Sequence, residues 1–258
     1  MPRVYISDDL REGGQLTLAD PLHHRLRRVL RLRDGARIEL FNERQGSWTA
    51  QLQGDRLKVL TAIAPARVER PMSLAFAPIK GARQAAVIEK ATELGVTAFV
   101  PIHTARTVAG FTPARFSDRA IAAAEQCGRH SIPVFDAPIP FADWQPTTWV
   151  VVCAEWGPAH PMLEVGQILK DQPVTLFIGP EGGLTLEERA RLETLPQVYF
   201  ASLGSSILRA DTAAVAALAL WRCAHDRDRP PRRAQALYAQ GPCEQALCEQ
   251  DEPSGYRS

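Results

Sequence analysis

From Met72 onward, apolar runs alternate with amphipathic segments, and this rhythm restricts the possible folds more than any other feature of the sequence. The apolar runs predict strands at residues 73–79, 97–102, 149–154, 174–178 and 198–203. The segments between them predict helices at 82–94, 115–127, 161–170, 186–195 and 210–225. Such alternation is typical of a parallel sheet covered by helices, so we expect an α/β domain.

Residues 1–70 predict a separate β-rich module. Strand-forming runs recur at 3–6, 15–18, 37–41, 47–53 and 57–64, and one short helix is expected at 21–32. The proline-containing segment 64–71 predicts a linker to the α/β domain, which is expected to span 72–225. The tail at 226–258 is rich in Arg, Pro, Gln and Glu and is expected to be flexible.

The composition, 45% hydrophobic and 23% charged, is that of an ordinary globular protein. No run is long enough to span a bilayer and the start has no apolar signal core, so we expect a cytoplasmic protein without membrane contact. Five scattered cysteines form no CxxC pair, which indicates neither a disulfide framework nor a zinc or other metal site. The net charge of +1 argues against a general polyanion binder.

A glycine-rich segment, LFIGPEGGLT at 176–185, is the strongest local motif. It predicts a buried strand, a turn, and a helix with Thr185 as its N-cap. Glycines let a ligand approach the backbone, whose N–H groups can bind polar or anionic groups. The motif is neither GxGxxG nor a P-loop, which disfavours a dinucleotide or nucleoside triphosphate site. A plain tight turn remains an equally open interpretation.

A second loop, LGSSILR at 203–209, follows the next predicted strand and leads into ADTA. Because ligands of open α/β sheets sit at the carboxyl ends of strands, the two loops could hold one ligand between them. Arg209 stands at a helix start, against the preference of the helix dipole, and this indicates a functional role. The alternative is an exposed arginine that reaches solvent or pairs with Asp211.

Basic residues cluster in HHRLRRVLRLR at 23–33. Leu26, Val29 and Leu30 predict a buried stripe that leaves the arginines outside, an arrangement suited to RNA phosphates. The alternative is an ordinary solvated helix face.

The segment AAEQCGRHSIP at 123–133 predicts a helix that ends at Gly128. Gln126 and Arg129 could face RNA or a dimer partner, and ordinary C-capping is the other interpretation.

In this order and spacing, the segments resemble the RsmE family of 16S ribosomal RNA uracil-N3 methyltransferases, within the SPOUT superfamily. The resemblance covers nearly the whole chain up to the tail. It rests on HHRLRRVLRLRDG, on KGARQAAVIEKATELGVTAFVPIHTART at 80–107, on AAEQCGRHSIPVF, on LFIGPEGGLTLEE and on LGSSILRADTA.

The resemblance implies a PUA-like N-terminal β-barrel domain and a SPOUT methyltransferase domain whose trefoil knot forms a pocket for S-adenosylmethionine (SAM). It also implies a homodimer that methylates N3 of a specific uridine in 16S rRNA of the small ribosomal subunit. The glycine-rich loops would then be two walls of one cofactor pocket, with the loop 103–106 nearby. The cofactor-binding residues carried over are Ile178, Gly179, Pro180, Glu181, Gly182, Gly183, Leu203, Gly204, Ser205, Ile207, Leu208 and Thr212.

The placement of three charged residues on adjacent cofactor loops leads to a catalytic hypothesis. Arg209 would stabilise negative charge on the uracil, while Glu181 or Asp211 would remove the N3 proton or orient that arginine.

The predicted RNA-binding residues are Arg3, Arg25, Arg27, Arg28, Arg31, Lys80, Arg83, Gln126 and Arg129.

The sequence departs from the family pattern at four positions. Relatives commonly carry arginine where Ser206 stands, threonine at Ala210, glutamate at Asp211 and glutamate at Ala105. Two alternatives therefore stay open: a methyltransferase of the same fold with another target position, and a non-catalytic RNA-binding or ribosome-assembly protein.

Overall fold

The computed structural model describes residues 1–225, and the tail predicted at 226–258 lies outside this range. The N-terminal sheet has the strand order β1-β3-β4-β5-β2 and is antiparallel except for the parallel pair β1–β3. The register of β4 against β5 shifts twice between Ser47 and Ala50, and such bulges bend and twist a sheet. Its strands are β1 (Arg3–Tyr5), β2 (Gln15–Thr17), β3 (Arg37–Asn42), β4 (Gly46–Gln53) and β5 (Arg56–Ala64).

The helix predicted at 21–32 is wrong in its length and in its buried face. Helix α1 (Asp20–His24) continues directly into a π-helical turn at Arg25–Val29. The wider turn interrupts the expected spacing, so that Leu26 is buried whereas Val29 and Leu30 are 64% and 40% exposed.

The second sheet is entirely parallel and has the order β11-β13-β10-β12-β6-β7-β8, with β9 also pairing with β7. The predicted α/β fold is therefore confirmed, and all five predicted strands are present. Three two-residue strands, β8, β9 and β11, were too short to predict from sequence. The strands are β6 (Met72–Phe76), β7 (Ala98–His103), β8 (Val134–Phe135), β9 (Ile139–Pro140), β10 (Trp149–Cys153), β11 (His160–Pro161), β12 (Val174–Ile178) and β13 (Val198–Ser202).

Helices cover both faces of this sheet, as the near-continuous apolar strands require. Helices α2, α3, α4 and α6 pack on one face with Leu74 and Leu176, and α5 packs on the other with Phe177. The predicted trefoil knot and the domain limits 1–70 and 72–225 stay predictions. The helices are α2 (Ala82–Glu93), α3 (Ser117–Cys127), α4 (Met162–Ile168), α5 (Leu186–Thr194) and α6 (Ala210–His225).

Arginine side chains join the two sheets at the end of α3. Arg3 pairs with Glu39 at 2.8 Å, donates to the carbonyl oxygens of Ala124 and Arg129 at 2.9 Å each, and covers the Phe41 ring. Arg129 is only 3% exposed. Its Nη1 donates to two carbonyl oxygens at 2.8 Å, those of Thr92 and Val96.

Glu125 completes this junction from the last turn of α3. Its buried carboxylate accepts hydrogen bonds from the Arg25 guanidinium and from the Tyr5 N–H, the latter at 3.2 Å. Three predicted RNA contacts, Arg3, Arg25 and Arg129, are therefore engaged between the sheets, because buried carbonyls and a buried carboxylate require donors.

We expect Arg129→Ala to lower the free energy of unfolding by about 3 kcal/mol, because buried carbonyl oxygens lose their charged donor. The matched variant Arg28→Ala removes an exposed arginine and should change it by less than about 0.5 kcal/mol. Urea unfolding followed by circular dichroism measures both. Equal midpoints for the two variants would contradict the structural role of Arg129.

Candidate active site

A cavity of about 320 Å³ lies at the carboxyl ends of three neighbouring strands, β13, β10 and β12. We call it the first cavity. Three loops line it, at 153–156, 178–184 and 203–210. Parallel strands end at the same edge of the sheet, and β10 lies between the other two, so the three loops meet around one space.

Hydrogen bonds hold the loop at 178–184 at its helical end. Thr185 is the N-cap of α5, as predicted, and forms a capping box with Glu188. The other carboxylate oxygen of Glu188 accepts from the Ala105 N–H at 2.7 Å. One buried side chain thus ties the loop at 103–106 to the glycine-rich loop.

Two arginines hold the middle of the same loop. Arg83, at the start of α2, forms an ion pair with Glu181. Arg106 donates from Nη1 to the Gly182 carbonyl oxygen at 2.8 Å. A Cβ at Gly182 would stand 3.3 Å from the Cβ of Arg106, so this approach favours glycine.

The loop at 203–210 presents Arg209 to the first cavity. Its side chain is exposed, and no hydrogen bond or ion pair of its guanidinium is found within residues 1–225; pairing with Asp211 is not seen there. Asp211 does not line the cavity, and its Oδ1 is buried without a hydrogen-bond partner in the described part of the chain. The structure therefore brings Arg209 and Glu181 together around one cavity, without Asp211.

Ten of the twelve predicted cofactor residues line the first cavity, and Gly182 and Thr212 do not. Thr212 is exposed on α6, while Gly182 lines a neighbouring cavity. Those that line the first cavity are Ile178, Gly179, Pro180, Glu181, Gly183, Leu203, Gly204, Ser205, Ile207 and Leu208.

Sequence reasoning missed the wall at 153–156, although a strand was predicted there and a polar Glu155 and an aromatic Trp156 follow it. The Arg189 guanidinium lies 4.5 Å from the centroid of the Trp156 ring and stabilises this wall.

Cys153, at the start of the same wall, is not a candidate nucleophile. Burial raises the pKa of its thiol to about 12, so the thiol is protonated at neutral pH.

Some of the remaining predicted RNA contacts form bonds within the protein, and others are exposed without such bonds. Arg27 is held by Asp34 and by the Leu32 carbonyl oxygen at 3.2 Å. Four side chains are exposed, form no hydrogen bond or ion pair within residues 1–225, and could therefore contact RNA. These are Arg28, Arg31, Lys80 and Gln126.

Within the described range, no cluster of His, Cys, Asp and Glu is suited to a metal ion. None of the helices in residues 1–225 combines the length and apolarity that crossing a membrane requires.

Comparison with known proteins places these features in a family. Residues 67–222 match the RNA methyltransferase domain, and residues 23–62 match the RNA methyltransferase PUA domain. Ribosomal RNA small subunit methyltransferase E of Rickettsia conorii is 30% identical over 230 residues, which cover 84% of this chain and 93% of the relative. The Synechocystis protein of the same name is 34% identical over 235 residues, covering 84% and 76%.

Solved structures agree with this relationship. A ribosomal RNA small subunit methyltransferase E from Neisseria gonorrhoeae, bound to S-adenosyl methionine, is 28% identical with a TM-score of 0.75 over 87% of this chain and 98% of the other. A Legionella pneumophila methyltransferase in complex with SAM is 26% identical with a TM-score of 0.74, over 86% and 97%. With both domain matches and relatives of 30–34% identity, this chain belongs to the RsmE family of ribosomal RNA small subunit methyltransferases.

Proposed function

We propose that this protein transfers a methyl group from SAM to N3 of a uridine in 16S rRNA of the small ribosomal subunit. The observation that carries the proposal is the first cavity, two of whose three loops present ten of the twelve cofactor-binding residues expected from the family resemblance. We further infer that the protein acts as a homodimer in the cytoplasm, as the resemblance implies.

The residues of the first cavity fit SAM in size and in chemistry. Its volume of about 320 Å³ lies within the range of small-molecule sites. Ile178, Leu203 and Leu208 offer apolar contact for an adenine ring, and the carboxylates of Glu155 and Glu181 suit a ligand with cationic groups. When bound, SAM supplies a methyl group activated by a positively charged sulfur.

The residues of the protein must make N3 of the uracil deprotonated and accessible for methyl transfer. N3 carries a proton at neutral pH, and this proton must leave before or during methyl transfer. N3 also lies on the Watson–Crick edge, so the base must be unpaired or turned out of a helix. We assign proton removal to the Glu181 carboxylate, which Arg83 holds in place, because Asp211 lies outside the cavity lining.

Arg209 is suited to stabilise the uracil after proton loss. Negative charge then develops on the ring and its oxygens, and the Arg209 guanidinium, which has no hydrogen-bond or ion-pair partner in residues 1–225, can stabilise it. Arg28, Arg31, Lys80 and Gln126 would contact the RNA outside the site, the cations chiefly through phosphates.

We expect Arg209→Ala and Glu181→Gln each to lower kcat by about a hundredfold, through lost charge stabilisation and lost proton acceptance. Methyl incorporation at saturating SAM into small subunits from a strain lacking the enzyme measures the rate. Calorimetry should give an unchanged Kd for SAM with Arg209→Ala, whereas Glu181→Gln removes a carboxylate of the SAM cavity and should raise this Kd. Glu193→Gln, an exposed carboxylate on α5, is the matched control. Near-wild-type turnover of either site variant would remove that residue from the mechanism.

A second prediction concerns how the affinity for RNA depends on salt concentration. Arg28→Ala and Arg31→Ala should each reduce the slope of log affinity against log salt concentration by about 0.7 to 0.9 per lost phosphate contact. Binding to 16S rRNA at a series of salt concentrations gives the slopes, and Lys170→Ala, an exposed cation outside the predicted RNA surface, is the control. Unchanged slopes for both arginine variants would contradict this RNA surface.

A further inference from the structure

Four consecutive exposed residues, Arg28, Val29, Leu30 and Arg31, lie between helix α1 and strand β3 of the N-terminal module. We call residues 28–31 the apex. None of its residues lines the first cavity. The two arginines are already expected to bind phosphates, but the proposed methyl transfer gives no function to the exposed apolar pair between them.

An irregular backbone turns this apolar pair outward. In a regular α-helix, Val29 and Leu30 would share a face with Leu26, which stands three and four residues before them. The π-helical turn at Arg25–Val29 breaks that spacing, so Leu26 is fully buried whereas Val29 and Leu30 are 64% and 40% exposed. Such turns occur frequently at functional sites.

The next residue departs from regular backbone as well. Arg31 has a φ of 52°, in the left-handed region that favours glycine, and within residues 1–225 no other residue besides glycines has a positive φ. Unfavourable backbone of this kind persists where the surrounding structure imposes it, and it is concentrated at functional sites. Both irregularities lie within the segment that exposes the apolar pair.

Contacts on two sides hold the segment in this conformation. Arg25 binds the buried carboxylate of Glu125 on α3, and Arg27 pairs with Asp34. Between these anchors, the Leu30 N–H donates to the Arg25 carbonyl oxygen at 2.9 Å. A surface that is fixed before binding loses little conformational entropy when a ligand binds.

The side chains of the apex match the two parts of a nucleotide. Arg28 and Arg31 form no hydrogen bond or ion pair within residues 1–225, so each can bind a phosphate. Val29 and Leu30 offer an apolar surface against which the face of a base can pack. Base faces are free where RNA is unpaired and are stacked inside a duplex, so the apex fits unpaired RNA.

We propose that the apex binds an unpaired nucleotide of 16S rRNA other than the uridine that is methylated. The base packs on Val29 and Leu30, and the neighbouring phosphates bind Arg28 and Arg31. This inference rests on the proposed function and adds to it a second contact point, which selects RNA by its unpaired structure. The target uridine goes to the first cavity, which the apex does not line.

The test removes the apolar surface and keeps the charges. The double variant Val29→Ser/Leu30→Ser should raise the Kd for 16S rRNA by about tenfold at every salt concentration, because the base loses its apolar contact. The slope of log affinity against log salt concentration should stay as in the wild type, since no phosphate contact is lost. Val68→Ser, at a valine that is 94% exposed in the segment between the sheets, is the matched control and should bind like the wild type.

Two further measurements identify the kind of contact. A fully paired RNA duplex should bind the double variant and the wild type equally, because its base faces are stacked. In methyl transfer at saturating SAM, the double variant should raise KM for small subunits and leave kcat unchanged, because the apex does not line the first cavity.

Other outcomes overturn the assignment. An unchanged Kd for naked 16S rRNA, with weaker binding to intact small subunits, would assign the apex to a ribosomal protein. Equal losses of affinity for the duplex and for 16S rRNA would assign it to the sugar–phosphate backbone. A changed sedimentation coefficient of the double variant would assign it to a contact between two copies of this chain. If the wild type bound 16S rRNA but transferred no methyl group, the proposed function alone would fail.

A conservative variant covers the case in which serine disturbs the turn. Val29→Ile combined with Leu30→Met keeps the apex apolar and should bind 16S rRNA with the Kd of the wild type. Circular dichroism checks that both double variants are folded. A tenfold loss of affinity in the folded conservative variant would show that the apex does not act through apolar contact.

Discussion

Strand β12 pairs in parallel with β6 on one side and β10 on the other, and the arrangement of the active site depends on this placement. Since β12 stands between strands that occur earlier in the chain, its carboxyl end delivers the glycine-rich loop to the centre of the sheet edge. The loops of β10 and β13 then lie to one side of it and those of β6 and β7 to the other. The first cavity can be lined by loops that come from three separate parts of the chain only because of this order.

The five longer strands of the second sheet and the helices between them were predictable, because each of these strands is a recognisable apolar run and each helix has apolar residues at helical spacing. Thr185 was predictable for a related reason, since an N-cap depends on neighbours within one turn of helix. The order of the strands was not predictable from local pattern. The wall around Glu155 was missed for that reason: nothing in the sequence near β10 indicates that its neighbours are β12 and β13.

The arginines also show that local sequence cannot predict which charged side chains are paired in the fold. In the sequence, Arg25 and Arg28 look alike, because both belong to one basic segment. In the fold, Arg25 meets the buried carboxylate of Glu125 and Arg28 meets solvent. The difference arises from Glu125, which lies 100 residues away from Arg25 along the chain. Patterns within a short stretch of sequence cannot predict a contact of that separation.

The hydrogen bond between Glu188 and the loop at 103–106 does not depend on which side chain stands at position 105. It holds Ala105 through the backbone N–H, a group that every residue except proline supplies. The residue at 105 can therefore vary without loss of this hydrogen bond, and alanine, where the family resemblance implies glutamate, leaves the loop anchored. The main chain at this position therefore fixes the geometry of the loop, whichever side chain it carries.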